Sequence, residues 1–254
     1  MTNTKTKNIQ HKRAVSQAFG SMAKGYDFWY QSAMGNYVWL VETQAIQNLF
    51  PATVPKVALE IGVGTGKAIS LLGNDHTQLI GIDFAWQMLA VARQKFTKSD
   101  NVHLVLSDGT SLPFRTECSD LTFSMTVLEF VPDRDELFKE IYRCLHASGN
   151  FLLGVLTSVN LWALERRIRN LAQCDVFGLA SFPSPWQVIR RLYRNGFTQI
   201  QYRGSVYAPP FAPEKCLPVV SMLEVTLSNR WLSRALGAFT VFSAKRCGAK
   251  EGGL

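Results

Sequence analysis

The 254-residue sequence is short of the residues that mark several function classes. Its five cysteines, Cys118, Cys144, Cys174, Cys216 and Cys247, form no C-x-x-C pair and have no histidine at metal-ligand spacing. A disulfide framework and a zinc site are therefore not indicated, no metal is expected, and reduced thiols in a cytoplasmic protein are the plain reading. No run approaches the ~18 consecutive apolar residues of a membrane span. The polar, basic stretch from Met1 to Arg13 has no apolar segment behind it, so no secretory signal is expected. With 47% hydrophobic residues and scattered Gly (18) and Pro (10), disorder and collagen-like repeats are excluded, and one globular domain with a modest cap fits the length.

What the chain has in excess is positive charge in one part. There are 27 Lys+Arg against 19 Asp+Glu, net +8, with an isoelectric point near 9.4. Residues 1–150 hold 14 basic and 14 acidic residues, whereas residues 151–254 hold 13 and 5, so the whole excess lies in the last part. Such a balance invites a nucleic-acid reading that the motifs have to support or refuse.

Residues 1–10 read as a disordered tail, and 11–24 and 35–49 as helices. A strand and helix alternation begins at Lys56-Val-Ala-Leu-Glu-Ile61, which runs into a Gly-rich turn and a helix at about 65–73. Strands follow at 78–83, 102–106, 120–126 and 150–156, with a helix at about 85–96. A further helix is capped by Asp133 with Glu136 three residues on, a capping-box variant. Beyond residue 157 come a helix at 159–173, a loop at 174–184, a helix at 186–195 stopped by Asn195-Gly196, and a strand at 197–207. A Pro-rich stretch, a helix at 219–235 and a strand at 238–245 complete the chain. The alternation predicts a parallel sheet with right-handed crossovers, and the apolar runs on the first, second and fifth strands fit a sheet covered on both faces.

Leu59-Glu60-Ile61-Gly62-Val63-Gly64-Thr65-Gly66-Lys67 joins the first strand to the next helix. Glycines there let the backbone turn tightly and approach a ligand. A dinucleotide fingerprint needs its third glycine at position 67, which is Lys67; the pattern is instead G-x-G-x-G preceded by acidic Glu60. It resembles the first motif of the class I S-adenosylmethionine (SAM) dependent methyltransferases, in their small-molecule branch, which includes type 11 and quinone-biosynthesis enzymes.

The match continues in order. Gly81-Ile-Asp-Phe-Ala-Trp-Gln-Met-Leu-Ala-Val-Ala-Arg93 is similar to the family's G-x-D-x-S-x-x-M-L-x-x-A-R stretch, departing at Ala85 and Trp86. Ser107-Asp-Gly-Thr-Ser-Leu-Pro-Phe114 and Thr126-Val-Leu-Glu-Phe-Val-Pro-Asp133 resemble the segments after the third and fourth strands, where Asn or Ser is commoner than Thr126. Ala147-Ser148-Gly149 stands where Pro-Gly-Gly is usual. The resemblance implies that Glu60, Gly62, Gly64, Thr65 and Gly66 hold the methionine end of SAM, Asp83 the ribose, and Asp108 with Gly109 the adenine. Phe84, Met88 and Thr126 complete the implied cofactor site, and S-adenosylhomocysteine (SAH) is the implied product.

Methyl transfer from a sulfonium is an in-line displacement, served by positioning and desolvation more than by a covalent step. The four histidines, His11, His76, His103 and His146, read as surface or packing residues. His11 alone stays a candidate base, because the N-terminal helix of related enzymes can fold over the site. Phe19-Gly-Ser-Met-Ala-Lys-Gly-Tyr26 resembles the family's lid, in which Tyr26 would touch the methionine end or the methyl; the alternative is an aromatic cluster that only packs.

In the basic part, Leu161, Leu164, Ile168 and Leu171 fall on one helical face with Arg166, Arg167 and Arg169 around the other, and Trp186, Ile189 and Tyr193 form a second stripe. Such helices suit an anionic membrane surface or an acidic substrate, or are ordinary packed helices with solvated arginines. No nucleic-acid-binding module is visible, and Thr126-Val-Leu-Glu129 replaces the N-P-P-Y type tetrapeptide of exocyclic-amine methylating enzymes, so nucleic acid is not expected as a partner.

The expected architecture is α/β: a Rossmann-like, seven-stranded, mostly parallel sheet with helices on both faces and the last strand antiparallel. Residues 1–50 would form a helical lid, 51–157 the SAM-binding core, and 158–254 the cap helices and the last two strands. The expected function is methyl transfer from SAM to a small-molecule or lipid-like acceptor, in the cytoplasm or peripherally at a membrane. The alternatives are an RNA methyltransferase and a non-catalytic SAM-fold binding or assembly protein.

Overall fold

The structure, a computed structural model, describes residues 2–172, 176–229 and 236–247. Its sheet has the order β3-β2-β1-β4-β5-β7-β6, built from β1 (Val57–Ile61), β2 (Gln78–Asp83), β3 (Val102–Leu106), β4 (Ser119–Met125), β5 (Leu145–Leu156), β6 (Phe197–Ser205) and β7 (Phe239–Arg246). The first five strands pair in parallel. β7 inserts between β5 and β6 and runs antiparallel to both, so the last strand is the reversed one, as the resemblance implies.

Alternate side chains of each central strand feed two cores. Ala58, Leu121, Phe123 and Leu152 face α2 (Ala33–Gln47) and α7 (Leu217–Asn229), with Tyr37, Val41, Ile46 and Leu217 in the same layer. Leu59, Phe151 and Leu153 face α4 (Arg134–Cys144) and α6 (Pro185–Arg194), through Phe138, Ile141, Val188 and Leu192. Both faces of the sheet are therefore dry, which is why the first, second and fifth strands read as largely apolar runs. α3 (Trp86–Lys95) lies against β2 and β3. Asp133 caps α4 by accepting from the Glu136 amide at 3.3 Å, and Gly196, at φ +86°, ends α6 in the left-handed region.

Four expectations are corrected. Residues 2–10 are helical, because α1 (Thr2–Met22) is docked through Val15 and propagates toward the N-terminus at one hydrogen bond per residue. The stretch 65–73 is not an α-helix but a turn with a 3-10 segment at Ile69–Leu71. Gly64 and Gly66 hold positive φ and Gly73 is packed tightly on Thr77, leaving too few residues to repay helix nucleation.

The other two corrections concern the orientation of the basic helices. On α5 (Leu161–Ala172), Leu161, Leu164 and Ile168 are exposed while Ala163 and Arg166 are buried. The helix is fixed this way round by Trp162, whose Nε1 donates to Ala208 O at 2.7 Å, and by the Arg166 guanidinium. That group lies 5.2–5.7 Å from the ring centroids of Trp162, Phe177 and Phe182. On α6 the buried face is Pro185, Val188 and Leu192, leaving Trp186 and Tyr193 largely exposed. The side chain of Leu171, the loop residues 173–175 and the expected helical residues 230–235 lie outside the described residues.

Candidate active site

The chain runs outward from β1 through β2 to β3 and then returns to β4, so the carboxyl ends of β1 and β4 part at a topological switch point. A cleft open to solvent lies there. Tyr26, Glu60, Gly62, Gly64, Thr65, Asp83, Phe84, Met88, Asp108, Gly109 and Thr126 all line it. Gly66 does not: a β-carbon there would fall 2.5 Å from the Phe96 ring, so this glycine serves packing.

The loop after β1 is held by its own amides. Gly62 N donates to Ile82 O at 2.7 Å and Gly64 N to Asp83 Oδ2 at 2.9 Å. Gly62 and Gly64 have φ of +77° and +55°, which glycine adopts without a steric penalty. The two differ in what lies in front of them. A β-carbon on Gly62 would meet Val127 at 2.1 Å, whereas one on Gly64 would meet nothing within 4 Å. Across the cleft, Thr126 takes φ +54°, an uncommon conformation for a β-branched residue, at the point where the chain leaves β4.

Three carboxylates stand at the ends of adjacent strands, each in a different electrostatic state. Glu60 is only 2% exposed and its Oε2 has no hydrogen-bond partner; desolvation, then the nearby Asp83, push its pKa well above the ordinary carboxyl range. Asp83 accepts from Ala85 N at 2.8 Å through Oδ1, and desolvation raises its pKa against those backbone bonds. Asp108 accepts from the amide and hydroxyl of Thr110, and Lys12 Nζ reaches its Oδ2 at 2.5 Å. Burial works to raise Asp108, but the hydrogen bonds from Lys12 and Thr110 outweigh it and hold the carboxyl below its usual range.

An orphaned buried carboxylate is uncommon. Glu60, beside an open left-handed amide turn, fits the ammonium of an amino-acid tail, and Asp83 keeps lone pairs for a diol. The residues present therefore fit SAM.

α1 and the 3-10 segment Ala23–Gln31 close one side of the cleft. Asp27 accepts from Thr65 Oγ1 at 2.8 Å and pairs with Lys95 at 2.5 Å, which ties the segment to the glycine loop. Tyr26 and Tyr30 stand at the wall. Burial pushes the Tyr26 hydroxyl up to about 12 and Tyr30 higher still. Lys67 Nζ lies 4.6 Å and 4.3 Å from the ring centroids of Tyr30 and Trp39, and desolvation lowers its pKa. None of the four histidines lines the cleft; His11 Nε2 is 3.0 Å from Phe130 O.

Lys12, Asp27, Tyr30, Trp39 and Lys67 were not singled out as site residues by the sequence reading. Lys67 carried a signal, as the position that breaks the dinucleotide pattern. Behind the wall, Glu42 and Glu129 are buried around Arg166, and desolvation lifts them to about 8 and about 7. Among the described residues, no group of three His, Cys, Asp or Glu is placed to hold a metal ion.

Comparison with known proteins agrees with this geometry. Residues 59–153 match the model of a family described as a methyltransferase domain. The malonyl-[acyl-carrier protein] O-methyltransferase of Marinomonas sp. is 28% identical over 151 residues, covering 59% of this chain and 54% of that protein. The chain spans about half to two thirds of the length of the first curated relatives it matches. A SAM-dependent methyltransferase from Thermotoga maritima, described as a possible histamine N-methyltransferase, shares the fold at TM-score 0.69 and 21% identity, over 91% of this chain and 99% of that one. A Haemonchus contortus phosphoethanolamine N-methyltransferase, solved with SAH, gives TM-score 0.57 at 18% identity over 87% and 59%. The sequence match begins on β1, the strand that carries Glu60, and runs into β5, so residues 59–153 form a methyltransferase domain of the class I SAM-dependent kind.

Proposed function

We propose that this protein transfers the methyl group of SAM to a small-molecule acceptor, by positioning and desolvation rather than through a strong base. The observation that carries the reading is the unpartnered Glu60 carboxylate, buried beside a left-handed glycine turn and one strand away from Asp83. Bound here, the cofactor would supply an electrophilic methyl on a sulfonium. Glu60 would hold the ammonium of its methionine end, Asp83 the ribose diol, and Asp108 with Gly109 the adenine.

The wall opposite decides the chemistry available to the acceptor. Phe19, Tyr26, Tyr30, Trp39 and Phe130 exclude water and present ring faces and edges that favour a cation. Both tyrosine hydroxyls stay protonated at neutral pH, so they donate and orient rather than abstract a proton. An acceptor that is already nucleophilic suits such a site: a carboxylate, a thiolate, an unprotonated amine or an activated carbon. One relative is by name an O-methyltransferase of malonyl-[acyl-carrier protein], which supports an acidic acceptor without fixing which acid.

Calorimetric titration with SAH tests the cofactor half. The wild type should bind at micromolar concentration, and Asp83→Ala should weaken binding at least about tenfold, the loss of one charged hydrogen-bonding group. No binding by the wild type, or equal binding by the variant, overturns the proposal. Transfer of labelled methyl to a panel of carboxylates, thiols, amines and quinols separates an enzyme from a non-catalytic binding protein.

A further inference from the structure

The inversion of α5 leaves a surface that the methyl-transfer reading does not use. Leu161, Leu164 and Ile168 recur at helical spacing and are each 52–59% exposed, while the polar member of the turn, Arg166, points inward. α7 repeats the arrangement. Its Glu224 is buried and accepts from the amides of Val206 and Tyr207, which turns Val219, Met222 and Leu223 outward at 51–78% exposure.

The two helices brace the same segment of chain. Trp162 of α5 bonds to Ala208 O, Glu224 of α7 bonds to the two residues before it, and Phe211, three residues on, is 75% exposed. Scattered single apolar residues on a surface need no explanation, but two outward stripes on helices that brace one segment, with a protruding aromatic on that segment, do.

Charge selects the occupant. The last 104 residues carry 13 basic and 5 acidic side chains, and on or next to the two helices Arg167 and Lys215 are exposed, with Glu214 beside Lys215 and Arg169 paired to Glu165 at 3.4 Å. The same 104 residues carry net +8, so a second copy approaching through this part of the chain meets like charge, which opposes pairing. Apolar side chains standing 75–78% clear of the protein, with arginine and lysine around them, match the boundary between headgroups and acyl chains of an anionic bilayer. No described helix is long and apolar enough to cross a membrane, so the contact is with the surface.

We propose that the outward stripes of α5 and α7, with Phe211 on the segment they brace and Arg167 and Lys215 beside them, dock this protein on an anionic lipid surface.

The test is co-sedimentation of the full chain with phosphatidylcholine vesicles, either pure or containing a third phosphatidylglycerol. The expected result is binding to the mixed vesicles at least about tenfold tighter than to the pure ones, weakened by salt. The triple variant Leu164→Ser, Ile168→Ser, Met222→Ser should lose that binding with an unchanged thermal melt, since all three side chains are exposed. Arg167→Glu with Lys215→Glu should weaken it by more than about tenfold, as each basic residue near the surface is worth about 1 kcal/mol. The proposal is overturned if the wild type stays in the supernatant with both vesicles, or if the triple variant binds as the wild type does. It is equally overturned if the wild type is a dimer in solution that the triple variant converts to monomer, because the face is then a contact between copies.

Discussion

Lys12 Nζ lies 2.5 Å from Asp108 Oδ2, so the N-terminal helix is fastened across the cleft to the carboxylate that the family resemblance assigns to adenine. The two side chains are 29% and 39% exposed, and a pair of that kind is worth at most about 1 kcal/mol. That is enough to bias a lid and too little to lock it. Lys12→Met should therefore raise the rate of tryptic cleavage within the first 13 residues by up to about fivefold without changing the global melt. Asp108→Asn should give a similar increase, and the double variant no more than either single one. Additive effects would mean that the two residues act on the lid separately.

Buried carboxyls set the pH dependence of the ligand-free protein, Asp83 and Glu224 among them, both raised by desolvation. Glu60, Glu42 and Glu129 have folded-state pKa values above their unfolded ones, the latter two at about 8 and about 7. Their contribution is fully favourable below the unfolded carboxyl range and is lost as pH rises through the folded values. Asp108, Asp135 and Glu140 are depressed, so theirs is lost as pH falls below that range. The melting temperature should peak near about pH 5 and fall by several degrees toward about pH 8. Glu60→Gln should raise it at the upper end and not at the lower, while weakening SAH at least about tenfold. A flat profile, or a variant no more stable than wild type at the upper end, contradicts this account.

How much of this was legible depended on whether the signal was local. The strands, the reversed last strand and the cleft-lining acidic residues followed from motifs at fixed intervals, because each of those acidic residues sits at a strand end where backbone geometry dictates residue type. The faces of α5 and α6 were misread because apolar spacing assumes that apolar residues lie inside. Arg166 overrides it by lying among three aromatic rings from two separate segments, with the Glu129 and Glu42 charges nearby. The tie between Lys12 and Asp108 joins residues 96 apart, which no local pattern encodes.

Two departures from the family pattern do have a structural reading. Thr126, where Asn or Ser is commoner, sits at φ +54°, and Ser148, in place of glycine, sits at +63°. Left-handed geometry costs an ordinary L-residue about 1 kcal/mol, less for Asn and least for Gly. Thr126→Asn and Ser148→Gly should each raise the melting temperature by about 1–3 °C, the range that such a gain produces in a domain of this size. Calorimetry of the single variants checks it, and loss of SAH binding by Ser148→Gly would show that this turn is tied to the cleft.

The glycine loop separates folding from binding. A β-carbon at Gly62 would enter Val127 at 2.1 Å, and one at Gly64 would enter open space. Gly62→Ala should cost about 3 kcal/mol, from overpacking added to backbone strain. Gly64→Ala should cost about 1 kcal/mol and leave a protein that melts cooperatively but binds SAH at least about tenfold more weakly. Equal destabilisation by the two would mean that the cleft closes on this loop.

Lys67 is the pocket-lining cation with no carboxylate within ion-pairing distance among the described residues, for Lys12 is already committed to Asp108. Its ammonium is held between Tyr30 and Trp39 and is partly desolvated, which leaves it short of a counter-ion. It stands one residue beyond the loop that faces the methionine end, so the α-carboxylate of the cofactor is the nearest candidate anion. Lys67→Met should then weaken SAH about tenfold while leaving the affinity for decarboxylated SAH within about twofold, and Lys67→Arg should keep most of the wild-type preference. If Lys67→Met loses both ligands equally, the lysine shapes the aromatic wall and binds no anion. If it loses neither, the lysine is left facing the acceptor side, where an acidic acceptor would show the same dependence in its KM.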